Sequence, residues 1–128
     1  GNEYSHIALL RKPVTAGGYN FTLEDIRITP MSSTIVFSYD SNDESSAIFK
    51  AFSSNVEDLN ITLADGTILT KDDFSYTISS GSDGAGNPIS AIFVNLTFNI
   101  PITTKSVREF TIFSETFLIS NWESIHLP

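Results

Sequence analysis

The sequence predicts an all-β domain, an antiparallel sandwich of about seven or eight strands. Three observations lead there. Apolar residues alternate with period two through most of the chain, the pattern of strands with one face on a core and one in water. Glycine, asparagine, aspartate and proline cluster between the alternating runs, where turns belong. One segment alone has helical spacing. Two antiparallel sheets that cover each other's apolar faces satisfy this pattern, and a small barrel is the alternative. At 128 residues, 14.0 kDa and 41% hydrophobic content, the chain suits one continuous core.

Residues 1–18 read as an N-terminal extension or peripheral strand: "SHIALL" is strand-like with poor alternation, and the stretch ends in "AGG". Residues 19–128 form the sandwich. In "FTLEDIRI" the parity changes, from odd-numbered Phe21 and Leu23 to even-numbered Ile26 and Ile28. One extra residue near Glu24-Asp25 returns both pairs to the core, so a β-bulge is expected there. The alternative is a break between two short strands. "TIVFSY" then directs Ile35, Phe37 and Tyr39 to one face and Val36 to the other.

The segment "SSAIFKAFSSNVEDL" places Ile48, Phe49, Phe52, Val56 and Leu59 at spacings near three and four. That predicts a short helix or helical turn within 45–58, capped by Ser45 or Ser46. A strand through Phe52 followed by a turn is the competing reading. "LNITL" resumes alternation with Leu59, Ile61 and Leu63 inward, and "ADGT" at 64–67 supplies a hairpin turn. "FSYTIS" aims Phe74, Tyr76 and Ile78 at the core. In "AIFVNLTFNI" the core face is Ile92, Val94, Leu96, Phe98 and Ile100. "VREFTIF" and "TFLIS" add strand material near the C-terminus. Pro30 and Pro101 fall at strand ends, where a missing donor does least harm.

Composition narrows the chemistry. Seven basic against fifteen acidic residues give a formal charge of -8, which opposes binding to nucleic acid or anionic membrane. No apolar run reaches the roughly 20 residues needed to span a bilayer, so direct membrane insertion by this segment is not expected. With no cysteine, disulfides and thiolate chemistry are absent.

The loop "SSGSDGAGNPIS" at 79–90 invites comparison with a phosphate or calcium loop. Its glycines lead to Asn87-Pro88 and a strand rather than to a lysine and a helix, and Asp83 is its only carboxylate. It reads as a connector between two strands of one sheet, with its tip at 82–86 exposed. The densest oxygen-ligand cluster is Asp40, Asn42, Asp43 and Glu44. With Asp83 these are the candidate Ca²⁺ ligands, set against a plain charged loop. Other acidic doublets lie at Glu24-Asp25, Glu57-Asp58 and Asp72-Asp73. Neighbours on a strand point to opposite faces, so a doublet is not a catalytic pair. His6 and His126 have no nearby partner, and no G-x-S-x-G elbow occurs. Tyr19, Phe93 and Trp122 are candidates for stacking on a sugar ring, although Trp122 more often closes one end of a core.

The stretch "GGYNFTLEDIRITPMSSTIVFSY", followed by "LNITLADGTIL" and "SVREFTI", resembles the immunoglobulin-like sandwich domains of unknown function in the extracytoplasmic parts of Gram-positive bacterial membrane proteins, some beside anti-sigma-factor-like regions. The resemblance spans roughly residues 17–113 and carries no catalytic residue across. It implies an immunoglobulin-like fold, an exported and membrane-tethered parent protein, and a protein or cell-envelope partner. The expected function is therefore a non-catalytic interaction or presentation module of a larger surface protein. A carbohydrate-binding module with exposed aromatics and a small hydrolase with converging carboxylates are the alternatives.

Overall fold

The computed structural model describes residues 5–40, 45–82 and 89–124. They form two antiparallel sheets, of six and four strands, and one short helix. The larger sheet has the order β10-β1-β2-β3-β7-β6, from Glu123–Ser124, His6–Ala16, Tyr19–Ile28, Ser32–Asp40, Ile89–Phe98 and Phe74–Ser82. The smaller has the order β5-β4-β8-β9, from Ile68–Leu69, Asn60–Leu63, Val107–Ile112 and Glu115–Leu118. β5 and β10 are two residues each; the remaining eight fall on the segments read as strands, with β1 running on from "SHIALL" to Ala16 and with β6 and β7 extending to Ser82 and Ile89 into the stretch read as a connector.

The expected bulge is present. Leu23 pairs with Phe37 and Asp25 with Val36, which leaves Glu24 as the extra residue. Phe21, Leu23, Ile26 and Ile28 are all buried in consequence. A second irregularity faces it on β1, between Leu9 and Lys12, where Arg11 takes φ of 51°. The segment 6–16 pairs with β2 along its length and buries Ala8, Val14 and Ala16. Gly17 and Gly18, with φ of 57° and 86°, make the tight turn between β1 and β2.

Helix α1 (Ser45–Ser53) connects the sheets, and Ile48 and Phe52 face the core. It begins at Ser45, so Ser45 and Ser46 lie inside its first turn rather than at the expected cap position. Its C-terminal carbonyls are satisfied by side chains: Ser54 Oγ donates to Lys50 O and Asn55 Nδ2 to Ala51 O. The Phe52 ring meets Phe37 at 4.9 Å, Phe113 at 5.0 Å and Phe21 at 5.2 Å, all edge-on. One helical phenylalanine thus joins the larger sheet to the β8–β9 turn, in the geometry aromatic quadrupoles favour.

β6 and β7 form the predicted hairpin, in constant register from Phe74↔Phe98 to Ser82↔Ser90. The tip at 83–88 lies outside the described residues. β7 ends at Phe98, so Ile100 leaves the core face assigned to it and is 74% exposed. The backbone turns away there because Phe98 N donates to Met31 O and Asn99 N to Asp73 O. The Asp-Gly turn joins β4 to β5, with Gly66 at φ 90°.

Candidate functional site

Most acidic side chains with an identified partner serve the fold. At the β8–β9 turn Phe113 and Ser114 take φ of 54° and 61°, a left-handed pair in which glycine or asparagine is usual. The Asp58 carboxylate accepts from both of their amides, at 3.1 and 2.6 Å. Asp65 accepts from Thr67 N, and that hydrogen bond lowers its pKa below the ordinary 3.8. Asp73 accepts from Thr70 N. Asp25, buried on the outer face of β2, pairs with Arg27 at 3.0 Å. These carboxylates hold turns and a strand; the turn role of Asp73 is the one expected of the Asp72-Asp73 doublet after Thr70-Lys71, whereas the reach of Asp58 to the β8–β9 turn is not visible in the sequence.

The outer face of the larger sheet is tied together in the same manner. Thr34 Oγ1 donates to Asn95 Oδ1, and Asn95 Nδ2 donates to Ser79 Oγ, which links β3, β7 and β6. Ser38 Oγ donates to Glu24, the bulge residue. His6 Nδ1 lies within hydrogen-bond reach of Ser5 Oγ and Thr104 Oγ1, with no carboxylate in that set.

The three aromatic candidates do not share a surface. Tyr19 and Trp122 pack against the core. Trp122 also donates Nε1–H to Val107 O at 2.9 Å, which fixes it as a closing residue at the β8 end. Phe93 lies on the opposite side of its sheet, paired with Val36 and Ser79. An added Cβ on Gly81 would meet the Phe93 ring at 3.1 Å. The ring therefore covers a strand glycine, a device that stabilises sheets. Core packing separates these rings, because the alternation that buries Ile92 and Val94 turns Phe93 outward.

Of the cation candidates, Asp40 is exposed at the end of β3. Asn42, Asp43, Glu44 and Asp83 lie outside the described residues. Among the described residues no group of three or more His, Cys, Asp or Glu side chains is placed to hold a metal ion, and no helix is long and apolar enough to cross a membrane.

A cleft of about 460 Å³ lies where β1, β2 and β3 meet the start of β9. Thr15, Asn20, Thr22, Ser38, Asp40 and Glu115 supply its polar groups, and Val14 and Phe21 part of its apolar lining. Strand pairing positions them: Thr15 lies opposite Asn20, and Thr22 opposite Ser38. A short row of hydroxyl and amide groups with two carboxylates can donate to and accept from a polar ligand. Asp40 and Glu115 are both exposed. At the other end of the strands an apolar notch of about 190 Å³ is lined by Leu69, Phe98, Ile100, Pro101 and Ile102. Of the cleft residues, sequence reading named Asp40 as a candidate ligand; the convergence of the others depends on register.

No protein-family model matches the chain, and no curated protein or solved structure is significantly similar to it.

Proposed function

We propose that the chain is a non-catalytic, immunoglobulin-like sandwich module of a larger extracytoplasmic protein, and that it presents its cleft end to a protein or cell-envelope partner. The observation that carries this reading is the allocation of polar side chains. Asp58, Asp65 and Asp73 bind turn amides, and Asp25 binds Arg27. Thr34, Asn95 and Ser79 bind one another. The cleft is the concavity where polar groups from four strands converge, and it sits beside a turn rigidified by Asp58. A firm frame holding a shallow polar recess suits recognition. The extracytoplasmic placement rests only on the resemblance of residues 17–113 to such domains drawn from the sequence.

A membrane-impermeant amine-reactive biotin label tests the placement, since Lys12, Lys50, Lys71 and Lys105 are exposed. Applied to intact cells that make the parent protein, it should modify this segment before lysis. Modification only after lysis would remove the extracytoplasmic reading.

The polar lining of the cleft favours one second reading, a carbohydrate-binding module. Recognition would then use the Thr15, Asn20, Thr22 and Ser38 side chains instead of the aromatic platform expected from Tyr19, Phe93 and Trp122. Saturable retention on immobilised polysaccharide, lost in Asn20→Ala, would favour it.

A further inference from the structure

We propose that β6 is an association edge at which a second copy of this chain adds its own β6, antiparallel and about a two-fold axis. The inference stands apart from the proposed function and begins from the sheet edges. An open strand edge is a template for further pairing, and folds blunt such edges with short strands, charges, prolines or bulges. Three of the edges here are short: β10 and β5 have two residues each and β9 has four. Past its two pairs with β10, β1 carries a register shift, the positive-φ Arg11, then Lys12 and Pro13.

β6 has none of these devices. Its nine residues, "FSYTISSGS", contain no charge and no proline. They keep constant register with β7, without a bulge. Among the described residues no strand lies on its other side. The edge is about 30 Å long at the usual rise per residue. Tyr76 and Ile78 pack against the core yet are only half-buried, so the core's margin is uncovered along this strand.

The strand's own sequence argues for a second copy as the occupant. The chain carries -8 overall, yet like-charge repulsion finds no charged side chain within this strand. With the axis at Ile78, that residue meets its equivalent and Thr77 meets Ser79 of the second copy. On the core face Ile78 then meets Ile78 and Tyr76 lies opposite Ser80, while the hydroxyls of Thr77 and Ser79 pair on the outer face. A two-fold contact of this type is isologous and closes at two copies. One strand pair buries less than the roughly 1,200 Å² of small specific interfaces, so the contact should be weak and is sought at protein concentrations of about 10 µM to 1 mM.

Sedimentation velocity on the 128-residue chain across that range tests the proposal. The weight-average mass should rise from 14.0 kDa towards twice that value. Thr77→Lys/Ser79→Lys should weaken association at least about tenfold, since both positions are exposed and the lysines of two copies would crowd the axis. Ser120→Lys/Asn121→Lys, with the same charge change at exposed positions away from β6, should not. Circular dichroism checks that each variant folds, and Thr77→Lys alone is read if the double variant does not. A chain that stays monomeric throughout, equal loss in both double variants, or growth beyond two copies would each overturn the proposal.

Discussion

Asp58 shows how one side chain supports a turn its own residues resist. Phe113 and Ser114 both occupy the left-handed region, which costs a non-glycine residue about 1–2 kcal/mol. Phe113 gains ring contacts with Phe37 and Phe52 in return, and Asp58 satisfies both amides. Asp58→Ala should therefore lower stability by about 1–2 kcal/mol, while Ser114→Gly should raise it by about 0.5–1 kcal/mol. Denaturant unfolding measures both. Asp65 makes a prediction of a different type. Its carboxyl binds a proton more weakly in the folded chain than in the unfolded one, because Thr67 N–H donates to the charged form. Its contribution is therefore present above pH 3.8 and is lost as pH falls through the lower, folded value. Stability curves of the native chain and Asp65→Ala should differ at neutral pH and converge in acid; a constant gap would refute the assignment.

At the scale of elements, parity and spacing were informative wherever a face was buried. The change from Leu23 to Ile26 located the Glu24 bulge, and the spacing of Ile48 and Phe52 located the helix, which ends at Ser53, short of Val56 and of the expected 45–58 span. Both signals arise because the core accepts only one side of an element. The β1 irregularity was not legible, since the buried residues on either side of it, Ala8 and then Val14 and Ala16, are all even-numbered and show no change of parity. Gly17 and Gly18 looked equivalent in sequence but meet different neighbours. A Cβ on Gly17 would lie 2.7 Å from Ala51 Cβ, whereas nothing lies within 4 Å of one on Gly18. Both substitutions pay for positive φ, about 1 kcal/mol, and only Gly17→Ala must also push α1 off the hairpin. Thermal melts should show the larger loss for Gly17→Ala, and equal losses would place the helix elsewhere.

For the whole molecule, sequence supplied the class of fold but not the neighbours of each strand. Alternation says which side of a strand is buried and is silent on which strand lies beside it. That limit explains the candidate site. The cleft combines Thr15, Asn20, Thr22 and Ser38 with Glu115, residues that come together only through the pairing of β1, β2 and β3 and the return of β9. The aromatic candidates, chosen for their chemistry alone, are separated by the packing that ties the half-buried Trp122 to Val107 O and lays Phe93 over Gly81. The proposed function makes the cleft end of the sandwich its recognition surface. Binding of the purified domain to envelope fragments from the cells that make its parent tests this most directly, with Asn20→Arg compared against Thr97→Arg. Asn20 lines the cleft, whereas Thr97 lies on the outer face opposite Ser32, near the other end of the strands. Saturable binding weakened at least about tenfold by Asn20→Arg alone is the predicted result. Absence of saturable binding, or equal loss in both variants, would contradict the claim.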